Sequence, residues 1–269
     1  MDAETVLVGV RLRDYVADEL DAATAGLRVQ GRRELRKGIH ATRKAIRRAR
    51  AALRLGWREP DAGVAMALAE LKRLNVALSD LRDAHVLVGV VDRLLMLSAN
   101  DEDVDAEDRA ALQRARKTLK ARRKQSERDP NTQDTVDAVA AALAFVRGGI
   151  DALSWDAVDA SAIETGLDAT RADIARSRER ALPKGSAPRW HKWRRRLRRL
   201  SQQRRACEAI GLDGREDAFT KSLTEQLGVL QDLNVLMQRG PREARSAAKQ
   251  ARNAQRKRLA SIATSGEGG

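Results

Sequence analysis

The chain repeats itself at an interval of about 150 residues, which constrains its fold more than any other feature of the sequence. Aligning His40 with His191, 151 positions on, superposes Ile39 on Trp190, Arg43 on Arg194, Lys44 on Arg195, Ile46 on Leu197, Arg47 on Arg198 and Arg54 on Arg205. A second block agrees at a separation of 149, where Leu78 to Leu87 falls on Leu227 to Leu236, Asp83 on Asp232, His85 on Asn234 and Lys72 on Lys221. Two blocks in near-identical register predict a tandem of two similar halves, residues 1–150 and 151–269, the first carrying an extra helix at its end.

The repeated unit is helical. Aromatic residues make up 3% of the chain and there are only 5 prolines, which argues against a β-sandwich or barrel, while 42% hydrophobic content suffices for a core. Leu7, Val8, Leu12, Val16 and Leu20 recur near a 3.6-residue period and predict a first helix over Thr5 to Leu27. Very basic helices follow over about Arg32 to Trp57 and Arg189 to Ile210. A leucine-bearing helix starts near Asp61, and the apolar stretch Val86 to Leu97 either continues it or follows a kink. Further helices are expected from an acidic turn and helix start at Asp101 to Asp108 through Leu112, Ala115 and Leu119 to about Gln125, over Thr132 to Arg147 with a break at Gly148-Gly149, Ser161 to Leu182, Arg215 to Gln238, and after Gly240-Pro241. Ser265 to Gly269 reads as a tail.

The charge balance of +14, with a pI near 10.7, points to an acidic partner. At about 100° per residue His40, Arg43, Lys44, Arg47 and Arg54 share one stripe, with Ala45, Ile46, Ala49 and Leu53 on the far side. His191, Arg194, Arg195, Arg198 and Arg205 form the matching stripe, opposed by Trp193, Leu197, Leu200 and Cys207. An ordinary solvated face mixes signs to make i,i+4 pairs, yet no acidic residue occurs from Arg36 to Arg58 or from Arg189 to Arg205. Each helix therefore buries one face and offers the other to a polyanion.

Other chemistries find little support. The neighbours of His40 and His191 are cations, which repel a metal ion, so both read as hydrogen-bond donors to an anion, and no metal site is expected. Asp83 and Asp232 lie among leucines and call for an Arg, Lys or backbone N–H partner; without a second carboxylate or a hydroxyl nucleophile at fixed spacing, neither reads as a general base. No stretch forms a P-loop or dinucleotide fingerprint, and no cofactor or catalytic residue is assigned. The single Cys207 and the lack of a long apolar segment predict a cytoplasmic protein with no membrane association.

The stretch Ile39-His40-Ala41-Thr42-Arg43-Lys44-Ala45-Ile46-Arg47-Arg48 resembles the signature of the CHAD domain, the conserved histidine α-helical domain. Its second copy is resembled by Trp190-His191-Lys192-Trp193-Arg194-Arg195-Arg196-Leu197-Arg198-Arg199. The blocks ending Arg82-Asp83-Ala84-His85-Val86-Leu87 and Gln231-Asp232-Leu233-Asn234-Val235-Leu236 look like that family's other recurrent motif. The resemblance spans about Thr5 to Ile262. It departs from the pattern at Ala49, where leucine is usual, at Trp190, where an aliphatic residue is common, and at Gln231, where arginine precedes the aspartate. It implies an all-α fold of two pseudo-symmetric antiparallel bundles around a central basic cavity, binding of inorganic polyphosphate, and association with polyphosphate granules and their proteins. Many members carry a triphosphate tunnel domain with alternating glutamates ahead of a lysine; no such stretch occurs here, which leaves a stand-alone binding domain.

The sequence reading is thus a non-enzymatic polyphosphate binder. Its site comprises the two stripes, Arg48, the register-matched Lys72 and Lys221, and, from charge and periodicity on the fourth helices, Arg116, Lys120, Arg123, Arg252 and Arg256. The runner-up is nucleic-acid backbone binding, which single strands would support with exposed aromatics, whereas the few aromatics here fall mostly on expected buried faces. A polyphosphate hydrolase would need carboxylates near the basic stripe to hold a metal.

Overall fold

The computed structural model describes residues 3–57, 59, 61–99, 106–182, 185–215 and 218–265, with the side chains of 3–6, 32, 80, 82–85 and 263–265 outside the description. Among the described residues ten α-helices run in order: α1 (Ala3–Ala25), α2 (Arg32–Gly56), α3 (Ala62–Ala77), α4 (Ser79–Ala99), α5 (Ala106–Ser126), α6 (Pro130–Ile150), α7 (Ala160–Ala181), α8 (Ala187–Ala209), α9 (Ala218–Arg239) and α10 (Arg245–Ser265). Among the described residues there is no strand, so the all-α expectation holds. The leucine-bearing helix after Asp61 is two helices, with α3 ending at Ala77, capped by Leu78, and α4 starting at Ser79, inside the repeated block. Pro130 opens α6, the position where its missing N–H costs least.

The break expected at Gly148-Gly149 is absent, because α6 continues to Ile150. Each glycine weakens a helix by about 1 kcal/mol, but burial of Val146 and Ile150 and the pairing of Arg147 with Asp151 and Asp21 outweigh that. Trp155 also donates its indole N–H to the Ile150 carbonyl at 2.6 Å, fastening the end of the helix.

Two compact units emerge, and they cut across the sequence halves. The first contains residues 1–80, 130–176 and 195–217; the second contains 81–129, 177–194 and 218–269. In the first unit α1 packs along α2, and α6 lies against α1 and α3. The α1–α2 crossing is tight, because a Cβ on Gly38 would lie 1.7 Å from the Gly26 carbonyl oxygen. Thr42, one turn on, donates to the Ala23 carbonyl at 2.7 Å. The apolar face of α2 predicted from periodicity, Ala45, Ile46, Ala49 and Leu53, is buried together with Leu12, Val16 and Leu20 of α1. Asp61 caps α3 by accepting from the Val64 N–H at 2.8 Å.

The second unit has its own core, built from Leu87, Val88, Val91 and Leu94 of α4, Leu112, Ala115 and Leu119 of α5, and Leu233 and Leu236 of α9. Trp190 and Trp193, on the start of α8, pack 5.8 Å apart, and the Trp190 indole donates to the Gly185 carbonyl.

Candidate functional site

Within the first unit the basic faces of α2 and the later part of α8 form the walls of a cleft. Burial of Leu197, Leu200, Ala206 and Cys207 fixes which way α8 turns, and Arg11 of α1 secures its end by donating to the Ile210 carbonyl at 3.3 Å. Gly211 then ends the helix in the left-handed region, at φ 87. The loop doubles back so closely that a Cβ on Gly214 would meet the Arg204 carbonyl oxygen at 2.1 Å. That return brings Arg215 to the cleft.

The cleft has two adjoining parts. The wider, of about 670 Å³, is lined by Lys44, Arg47 and Arg48 of α2, by Arg198, Ser201, Gln202, Arg205 and Glu208 of α8, and by Gly214 and Arg215. The narrower, of about 70 Å³, is lined by Arg47, Arg50, Ala51 and Arg54 from α2 and Arg195, Arg198, Arg199 and Gln202 from α8. Arg47, Arg198 and Gln202 belong to both. Cations from sequence positions about 150 apart thus face one another across one space.

Burial makes these charges expensive. The Arg50 guanidinium is pulled down from the ordinary arginine value to about 10, first by burial and then by Arg54, Arg195 and Arg199. Its buried Nε finds no hydrogen-bond partner among the described residues. Burial and then Arg54 also lower Arg199, while Asp173 opposes them. Not every cation is left without a counterion, as the acid-free runs of sequence had implied. Glu19 of α1 accepts from Arg48 at 2.5 Å, and Asp173 of α7 lies 3.2 Å from Arg196 and 3.8 Å from Arg199. These carboxylates arrive from other helices, which a search along α2 or α8 alone does not reveal. Glu19 also bears on Tyr15, whose phenol is pushed up to about 12 by burial and then by that charge.

The residues assigned from sequence are distributed as follows. Lys44, Arg47, Arg48, Arg54, Arg195, Arg198 and Arg205 line the cleft. Arg43 is only 7% exposed and donates to the Asn75 carbonyl and, at 3.0 Å, to Ser79 Oγ, clamping α2 to the α3–α4 junction. His40 is exposed on α2 and Lys72 on α3, and neither contributes to the cleft lining. In the second unit Arg116 pairs with Asp92, Arg123 lies 3.7 Å from Glu127, and Arg256 donates to the Gly185 carbonyl at 2.8 Å. Arg252 donates to Asn253, Lys120, His191 and Arg194 are half-buried, and Lys221 is exposed. The side chains of Asp83 and His85 lie outside the described residues, and Asp232 is half-buried.

Arg50, Arg199, Ser201, Gln202, Glu208 and Arg215 join the lining without having been assigned from sequence. Arg50 and Arg199 fall at the flanks of their stripes, 10 positions after His40 and 8 after His191, where a helical-wheel reading places the border between faces. Their membership in the acid-free runs was the available signal. Among the described residues no group of three or more His, Cys, Asp or Glu side chains converges as metal ligands would, and no helix is long and apolar enough to cross a membrane.

An all-helical chain that turns two basic helix faces toward a common cleft fits a narrow class of folds. The chain belongs to the CHAD domain family, whose model matches residues 14–241. It is similar in structure to PptA from Streptomyces chartreusis, with 20% identity, a TM-score of 0.62 and 97% of each chain covered. It is also similar to the CHAD domain from the plant Ricinus communis, with 18% identity, a TM-score of 0.52, and coverage of 97% of this chain and 89% of that one. Comparison with curated proteins finds no match. The resemblance carried by the motifs around His40 and His191 therefore holds at the level of family and fold.

Proposed function

We propose that the chain binds inorganic polyphosphate in the cleft between α2 and α8 and holds it without cleaving it. The observation that carries this reading is the facing of Arg47, Arg50 and Arg54 with Arg195, Arg198 and Arg205, where, among the described residues, no carboxylate lines the narrow part and Glu208 is the one carboxylate lining the wide part. Guanidinium forks match phosphate oxygens bidentately, and a polyanion with a charge at every repeat would relieve the repulsion along both helices at once. Family membership agrees with a phosphate-rich ligand. Cytoplasmic location, residence on polyphosphate granules and contact with granule proteins belong to the same proposal.

Nucleic-acid phosphates would satisfy the same charges, but no aromatic side chain lines either part of the cleft among the described residues, so stacking of single-stranded bases has no platform there. The decisive experiment competes fluorescent polyphosphate against tRNA and duplex DNA at fixed salt, using the wild type and the separate charge reversals Arg47→Glu and Arg198→Glu. Polyphosphate should win, and each reversal should weaken it strongly. Preference for a nucleic acid, or full affinity in either variant, refutes the reading. Incubation of defined-length polyphosphate with protein and Mg²⁺ or Mn²⁺ should leave its gel mobility unchanged; protein-dependent shortening that survives repurification would overturn the claim of binding without cleavage.

A further inference from the structure

We infer that the narrow part of the cleft is a subsite for the terminal phosphoryl group of the chain, so that the ligand is held by its end as well as along its length. The inference rests on the polyphosphate reading above. Size is the first argument. The narrow part, at about 70 Å³, is about a tenth the size of the wider one and so admits far less of the chain. The wider part, at about 670 Å³, has room for a run of several phosphates.

Chemistry is the second argument. The wide part mixes Lys44, Ser201 and Glu208 with its arginines, which suits singly charged internal groups with two non-bridging oxygens each. Among the described residues the charged lining of the narrow part is guanidinium: Arg47, Arg50, Arg54, Arg195, Arg198 and Arg199. A terminal phosphoryl group differs from an internal one in a third non-bridging oxygen and a second ionisation, which by analogy with a phosphomonoester gives about −1.5 to −2 charge with a second pKa near 6. The densest cationic lining thus meets the most highly charged group of the polymer. Arg47, Arg198 and Gln202, shared by both parts, lie where the end joins the rest of the chain. Arg50, which lines that part and has a buried Nε without a hydrogen-bond partner among the described residues, would gain one from an anion placed there.

The test uses polyphosphate of one defined length with free ends, and the same polymer with both terminal groups capped as monoalkyl esters, which removes the second ionisation. Uncapped chains should bind the wild-type protein on the order of tenfold more tightly than capped chains at pH 7.5. The ratio should shrink toward one at pH 5.5, where the terminal group regains its proton while the arginines stay charged. The Arg54→Ala/Arg195→Ala double variant should lose the ratio, whereas Arg205→Ala should weaken both ligands and keep it. Equal affinity of wild type for capped and uncapped chains at both pH values overturns the end subsite and leaves the polyphosphate reading standing. Failure of both polymers to bind at low salt overturns both. The wild-type comparison decides the matter even if the double variant does not fold.

Discussion

Arg50 is a cation that the unliganded protein would be more stable without. Its lowering from the ordinary arginine value to about 10, at 1.36 kcal/mol per pH unit, sets an upper bound of about 3 kcal/mol on the penalty of holding that charge in place. The side chain is half-buried, and solvent screening reduces the figure to about 1 to 2 kcal/mol. The sign follows from proton linkage. Between about 10 and the ordinary arginine value the unfolded chain binds more protons at this site than the folded one, so stability rises with pH there, and at neutral pH, below both values, the penalty is present in full. Arg50→Met keeps the length of the side chain and removes the charge. The apo protein should then melt about 2 to 8 °C higher, with the gain reduced in high salt, where screening already weakens the repulsion among the arginines. Polyphosphate affinity should fall by about tenfold, the equivalent of one charge-assisted contact. Calorimetry of apo protein at low and high salt, with titration of each variant against defined-length polyphosphate, measures both effects. A variant that melts lower than wild type, or binds equally well, refutes the account of Arg50 as a charge held in reserve for an anion.

Other substitutions separate ligand binding from fold maintenance. Arg48→Met strands the buried Glu19 carboxylate and should cost about 3 kcal/mol in urea unfolding, most of it recovered by adding Glu19→Leu. Gly38→Ala and Gly148→Ala should have opposite signs: the first forces apart the α1–α2 crossing, while the second meets nothing within 4 Å and should stabilise α6 by about 1 kcal/mol in the same assay. Glu208→Gln removes a carboxylate from the wide part of the cleft and should tighten polyphosphate several-fold at low salt, with the advantage fading as salt rises.

The two-faced character of the basic helices was legible because periodicity reports burial directly. Ala45, Ile46, Ala49 and Leu53 on α2, and Trp193, Leu197, Leu200 and Cys207 on α8, are all buried. What a helix period does not report is which members of a charged stripe meet another helix. Arg43 lies on the predicted stripe yet is drawn inward by the Asn75 carbonyl, an acceptor 32 positions away. Arg50 and Arg199 sit at the stripe borders and still line the narrow part of the cleft, because α2 and α8 bring those borders to it. Arg215 comes from a loop whose return depends on Gly211 and Gly214, a turn that charge patterning does not signal. Gly148-Gly149 was misleading for the opposite reason, since propensity there is overridden by the burial of Val146 and Ile150. Two of the few aromatics depart from the mostly buried placement expected of them: Phe145 is 83% exposed on that same helix, and Phe219 is exposed on α9.

The chain visits each compact unit in three separate stretches, and this sets a timetable for its manufacture. Arg47 and Arg198 are 151 positions apart, so a ribosome adding about 5 to 20 residues per second delivers the second wall of the cleft roughly 8 to 30 s after the first. The first unit lacks its last stretch until residue 217 has been added. No cut of the chain into two contiguous pieces, at residue 150 or elsewhere, yields a piece holding all of one unit and none of the other. The two opposing walls of the cleft therefore come together only once residues near 217 have been added, and not from the first 150 residues alone.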